Sequence, residues 1–229
     1  APFSSEEAFT IIKSELGLEH VADAFEELSP SPVAAASLGQ VYKGKLRSGD
    51  PVAVKVQRPR ITETIATDLY LLRVASPYIA RLELFKGVAS VEGVIDEWGK
   101  GFIDELDYEK EAANGALFLE SMRACKLEAV TAPAVFEAFS AKRVLTTGWV
   151  DGESLARADQ ADTPRLCAVA LNAYLTMMLD TGILHCDPHP GNLLRTTDGR
   201  LCILDWGLVI TVDSELQFAL VDYIAHLST

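Results

Sequence analysis

The run His185-Cys186-Asp187-Pro188-His189-Pro190-Gly191-Asn192, followed by Asp205-Trp206-Gly207, constrains this chain more than any other stretch. Asp187 stands five residues before Asn192, and Asp205 stands thirteen residues after it. Between them, Leu193-Leu194-Arg195 and Leu201-Cys202-Ile203-Leu204 flank Thr196-Thr197-Asp198-Gly199, whose Asp-Gly pair predicts a tight β-hairpin. A hairpin returns the chain on itself, so Asn192 and Asp205 are expected side by side at its open end. Gathered there, Asn192 and Asp205 offer hard oxygen ligands to a divalent cation, and Asp187 is placed to accept a hydroxyl proton or orient an acceptor. One Asp or one Asn alone would be an ordinary polar turn. The full set at this spacing points to chemistry.

The 229 residues suffice for one domain with a sizeable core, or for two small lobes. A net charge of −13 opposes binding to a phosphate backbone, which relies on clustered Lys and Arg, and so argues against a nucleic-acid partner. Cys125, Cys167, Cys186 and Cys202 lack paired spacing, which implies no disulfide framework and fits a reducing compartment. Zinc at His185, Cys186 and His189 is disfavoured: a second ligand pair is missing, and Pro188 and Pro190 restrict the loop. The longest apolar stretch, residues 166–179, is interrupted by Asn172 and too short to span a bilayer. No signal peptide is visible. The sequence opens on Ala1 and stops inside a predicted helix, 214–227, so it reads as an excerpt of a longer protein.

Along the chain, Ser4-Ser5-Glu6-Glu7 resembles a capping box for a helix running to Gly17. A second short helix is predicted over 19–28, then strands over 33–47 and 51–57 joined at Ser48-Gly49-Asp50. Apolar positions recurring every three or four residues predict two long helices, 61–85 and 91–122, broken near Pro77 and Gly87. Two more strands are expected over 134–139 and 143–149, and a buried helix over 164–180 ending at Gly182. Sheet with helices comes first and mostly helix with a hairpin follows. Two unlike lobes with a cleft between them is the natural reading.

Lys55 sits in Val52-Ala53-Val54-Lys55-Val56, among alternating small apolar residues. An ammonium there needs an anion or carboxylate, because burying it unpaired is costly. Upstream lies Ala34-Ala35-Ala36-Ser37-Leu38-Gly39-Gln40-Val41, placed as a loop over phosphates would be, with alanines where glycines would give closer backbone approach. Downstream, Asp107 and Glu111 share one helix face, and the Ala112-Ala113 continuation suggests close packing against a sheet.

These stretches together resemble the UbiB family of atypical kinases (the ABC-one-kinase type), in order and over most of the chain. The resemblance implies an α+β, bilobal protein-kinase-like fold. A small β-sheet N-lobe with inserted helices would occupy 1–147, and a mainly helical, truncated C-lobe 148–229. It implies Lys55 and Glu111 as the phosphate-positioning pair, and Asp187 as the catalytic aspartate. Asn192 and Asp205 would be the magnesium ligands, and Glu105 and Asp107 a regulatory acidic motif. Nucleotide (ATP or ADP, with Mg²⁺) would meet Ala34, Ala35, Ala36, Ser37, Gly39, Val41 and Lys55. Gly148, Trp149 and Val150 would form an interlobe hinge facing adenine. Regulation of isoprenoid quinone or prenyl-lipid metabolism, lipid or quinone-pathway partners, and a plastid, mitochondrial or bacterial cytoplasmic setting are also implied.

The chain departs from the family pattern in places. The upstream Lys-x-Gly-Gln signature is absent, Trp206 replaces the commoner Phe, and Gly148 stands where Glu is frequent. His189 occupies the place of a Lys aimed at the transferred phosphate, and imidazole stabilises developing charge less than a fixed ammonium. Two other readings stay open. One is a small-molecule phosphotransferase of the aminoglycoside or choline kinase kind, opposed by the alanine loop and by residues 105–111. The other is a nucleotide-gated scaffold without catalysis.

Overall fold

A computed structural model describes residues 2–35, 38–81, 90–155 and 162–227. Contacts divide the chain into two compact units: Ala1–Glu109 with Ala138–Thr146, and Lys110–Glu137 with Thr147–Thr229. Residues 110–137 cluster with the second unit rather than with the remainder of 1–147, because Phe118, Met122 and Val130 sit in its core.

The first unit opens on α1 (Ser5–Leu16). Ser4 Oγ accepts the Glu7 N–H at its start, and Gly17 ends it at φ +64°. The helix predicted over 19–28 is instead one 3-10 turn, Val21–Asp23, followed by β1 (Phe25–Leu28). A distant partner decides this: Phe25 pairs with Leu46 of β3 (Gly39–Leu46). The strand expected over 33–47 is divided, with β2 (Ala34–Ala35) folding back antiparallel onto β3. In the sheet, β1 lies beside β3, then β4 (Pro51–Gln57), then the strand Val144–Gly148. Strand alternation buries Val52, Val54 and Val56 on one face of β4, beside Tyr42 and Leu46.

Helix α2 (Ile61–Ile79) runs through Pro77, which was expected to break it. Proline leaves the carbonyl four residues back without its helical donor. That carbonyl belongs to Arg73, and the Ser76 hydroxyl donates to it at 2.8 Å. The helix expected over 91–122 is two helices, α3 (Val91–Asp104) and α4 (Tyr108–Ala124). Gln57 Nε2 donates to Leu106 O at 2.7 Å, and Tyr108 N–H donates to Lys142 O. These bonds to the sheet replace the helical ladder at the break.

The second unit contains β5 (Val130–Thr131), while the strand Val144–Gly148, here β6, belongs to the first unit as far as Thr146. The strand expected over 134–139 reduces to a 3-10 turn, Glu137–Phe139, and a single bridge from Val135 to Thr147. A four-stranded sheet follows the order β5, β10 (Leu201–Ile203), β9 (Leu193–Thr196), β7 (Gly152–Ser154). A separate pair joins β8 (Ile183–His185) to β11 (Val209–Thr211). Helix α5 (Thr163–Thr176) loosens into a π turn, Met177–Thr181, and stops at Gly182 with φ +69°. Helix α6 (Ser214–Leu227) follows the predicted boundaries. Leu166, Ala173, Met177, Leu193, Leu201, Ile203 and Trp206 form the core with Phe118 and Met122. Among the described residues, no helix is long and apolar enough to cross a membrane.

Candidate functional site

The loop after β8 is built around His185, which is 2% exposed. Its Nε2 lies 2.5 Å from the backbone oxygen of Asp205, so that nitrogen carries the proton. Nδ1 is then an acceptor, and the Asp187 N–H donates to it at 3.2 Å. One imidazole thus ties the backbone of Asp187 to that of Asp205. Sequence reasoning passed His185 over as a site residue, because its role consists of bonds between separated segments.

Beyond Pro188 the chain turns through a 3-10 segment, Pro190–Asn192, whose start is capped by His189 Nδ1 accepting the Gly191 N–H. This turns Asn192 back, and its Nδ2 donates to Asp187 Oδ2 at 3.0 Å. Hairpin pairing of Ile203 with Leu193 and the Leu204 N–H to Asn192 O bond bring Asn192 up to the start of the Asp205 turn. The turn between the strands has Gly199 at φ +82°, as the Asp-Gly signal predicts. Asp198 there is held below the usual carboxylate range, chiefly by the Thr196 hydroxyl and then by Arg200.

Asp205 Oδ1 accepts the Gly207 N–H at 3.0 Å, a short turn that fixes the carboxylate. Trp206 points inward, 3% exposed, and its Nε1–H donates to Ile203 O at 3.1 Å. Its ring stacks on Phe118 at 4.1 Å and meets the edge of His185 at 4.9 Å. The Asn114 amide donates to Trp206 O at 3.0 Å, tying α4 to the same turn.

The donor chemistry here fits magnesium. With its NH₂ engaged by Asp187, Asn192 would have its amide oxygen to offer a cation, and Asp205 would add a carboxylate. Among the described residues, no group of three or more His, Cys, Asp or Glu side chains could hold a metal. Mg²⁺ does not require one, since it keeps several waters and takes substrate phosphates as its remaining ligands.

In the first unit, Lys55 pairs across the sheet with Val41, and its ammonium lies 4.9 Å over the centre of the Tyr108 ring. Tyr108 is 1% exposed. Gly39, at the start of β3, is required sterically: a Cβ there would stand 2.6 Å from Val56 O and 2.7 Å from the Tyr108 hydroxyl. Because one of those atoms is backbone, Gly39→Ala is expected to cost about 1–3 kcal/mol of unfolding free energy, read by thermal or urea denaturation. An unchanged midpoint would show that the strand yields easily.

The remaining predicted positions are placed as follows. Ala34 and Ala35 lie in β2, while Ala36 and Ser37 lie outside the described residues. Glu105 ends α3, and Asp107 Oδ1 accepts the Glu109 N–H, capping α4. Glu111 lies on α4 at 4% exposure. Gly148 N–H donates to Ala134 O at 2.8 Å, Trp149 Nε1–H donates to Asp151 Oδ1 at 3.0 Å, and Val150 follows directly.

The chain is 41% identical over 231 residues to the chloroplastic protein ACTIVITY OF BC1 COMPLEX KINASE 3 of Arabidopsis thaliana, covering 98% of this chain and 32% of that protein. It is 38% identical over 230 residues to an uncharacterized protein of Synechocystis, covering 98% of this chain and 33% of that one. The chain therefore spans about a third of the length of these curated relatives. A solved structure of Rv3197 with erythromycin, from Mycobacterium tuberculosis, matches with a TM-score of 0.74 at 29% identity, over 92% of this chain and 53% of that chain. The α+β architecture is protein-kinase-like. Residues 1–229 match the ABC1 atypical kinase-like domain throughout, and the chain belongs to that family.

Proposed function

We propose that this chain is the nucleotide-handling part of an ATP- and Mg²⁺-dependent atypical kinase or ATPase of the UbiB type. The observation that carries the reading is the Asn192 to Asp187 bond at the open end of the hairpin, beside the anchored Asp205 turn. Asn192 and Asp205 would hold Mg²⁺, which when bound supplies charge neutralisation at the phosphates. Asp187 would orient the acceptor or take its proton. Lys55 would meet the phosphates with Glu111 as its carboxylate, and residues 148–150 would offer backbone groups to adenine.

The lobe division at 147/148 and a regulatory role for Glu105 and Asp107 belong to the same proposal. So does action on isoprenoid quinone or prenyl-lipid metabolism in a plastid, mitochondrion or bacterium; of these settings, the chloroplastic names of the plant relatives favour the plastid. Phosphorylation of an added amino alcohol or aminoglycoside would instead single out a small-molecule phosphotransferase.

Thermal-shift titration with ATP, with and without Mg²⁺, tests the reading. Nucleotide at a hundredfold over its dissociation constant stabilises by about 2.7 kcal/mol, roughly 5–10 °C in Tm for a chain of this size. Asp205→Asn is expected to remove most of the metal-dependent part. Equal shifts in both proteins would remove Asp205 from the metal site.

A further inference from the structure

Helix α5 places one aromatic side chain against the loop described above, and nothing in the proposed chemistry uses it. Tyr174 lies half-buried on α5, packed on the core of the second unit, with its hydroxyl 3.2 Å from His185 Nδ1. The two rings meet edge to face at 6.0 Å. Because Nε2 must donate to Asp205 O, Nδ1 has a lone pair and no proton, so the Tyr174 hydroxyl is the donor in this contact. It shares that lone pair with the Asp187 N–H.

We propose that Tyr174 is a positioning residue: its hydroxyl holds the His185 proton on Nε2 and so keeps the Asp187 loop in register with the Asp205 turn. The inference rests on the functional reading above for its kinetic consequence, but not for its geometry. With the opposite tautomer, a bare Nε2 would face the Asp205 carbonyl oxygen, and an Nδ1 proton would face the Asp187 N–H. Both contacts would turn repulsive, and the backbone on each side of the site would separate. A second donor at Nδ1 weights the ring against that state.

The phenol is suited to act only as a donor. Burial, followed by the charges of Asp187 and Cys186, pushes its pKa up to about 12. It therefore keeps its proton through any ordinary assay range. The residue touches no reacting atom in this arrangement and acts through His185.

The test compares wild type with Tyr174→Phe in the full chain, by nitrogen NMR of the His185 ring and by ATP turnover against Mg²⁺ concentration. In wild type, His185 is expected to give a protonated Nε2 and an unprotonated Nδ1. In Tyr174→Phe the Nδ1 signal should move toward exchange between tautomers. With it, kcat should fall about three- to tenfold and the Mg²⁺ requirement should rise, while KM for ATP stays within twofold. A residue that merely supports the fold would lower Tm without moving the ring signals or splitting kcat from KM.

An Nδ1-protonated ring in wild type would overturn the proposal, as would identical ring signals in both proteins. Wild type without any Mg²⁺-dependent turnover would count against the functional reading alone, because the NMR comparison decides the tautomer with no activity required.

Discussion

Trp206→Ala is expected to cost about 3–5 kcal/mol of unfolding free energy, the usual range for truncating a fully buried large aromatic. The side chain is 3% exposed and fills space bounded by Phe118, His185 and Gly115, where an added methyl would already stand 3.3 Å from the indole. Truncation leaves a cavity between α4 and the Asp205 turn, and it deprives Ile203 O of its donor. A buried carbonyl left without a partner adds about 1–3 kcal/mol to whatever the cavity costs. Trp206→Phe keeps the stacked ring but loses that donor, so it should cost less than the alanine variant. Far-UV denaturation midpoints of the three proteins measure the series. The alanine variant should also lose metal-dependent nucleotide stabilisation, since its neighbours include Asp205 and His185. An alanine variant as stable as the phenylalanine one would mean that the packing around residue 206 collapses without loss.

What could be read from the sequence was whatever local chemistry decides. Ser4 and Gly17 bound α1 because caps act within one turn, and Asp198-Gly199 reverses the chain because glycine accepts positive φ. The hairpin expected between Asn192 and Asp205 forms, with Ile203 paired to Leu193 near its open end, whereas the Asn192 to Asp187 bond is seen only in the structure. Elements settled by distant partners were not legible. Residues 25–28 carry no strong strand signal, and their pairing with residues 44–46 of β3 makes them β1. The apolar period runs unbroken across 105–107, yet Gln57 and Lys142 draw the backbone there away from the helix. Pro77 reads as a stop, and only the Ser76 hydroxyl on Arg73 O shows why the helix passes it. His185 and Tyr174 were missed for the same reason, since an eleven-residue separation gives no pattern that announces a hydrogen bond.

Asp187→Asn should lower kcat by about 10²–10⁴-fold, the range for removing a positioned general base, which is about 2.7–5.4 kcal/mol of barrier. The substitution isolates charge from geometry. Asn192 Nδ2 donates to Asp187 Oδ2, and an amide oxygen at position 187 can accept the same bond. The backbone N–H of residue 187 still reaches His185 Nδ1, so the loop keeps its anchor. Side-chain exposure at Asp187 means that little packing is disturbed, and Tm should stay within about 2 °C. Nucleotide affinity should also hold, because the proposed metal ligands and Lys55 are untouched. Rapid-quench or steady-state turnover of ATP over a range of Mg²⁺ concentrations separates the outcomes. A large loss of kcat at constant KM assigns Asp187 to the transfer step. Turnover equal to wild type would place Asp187 outside it and favour a scaffold in which nucleotide binding, not phosphate transfer, is the event that matters.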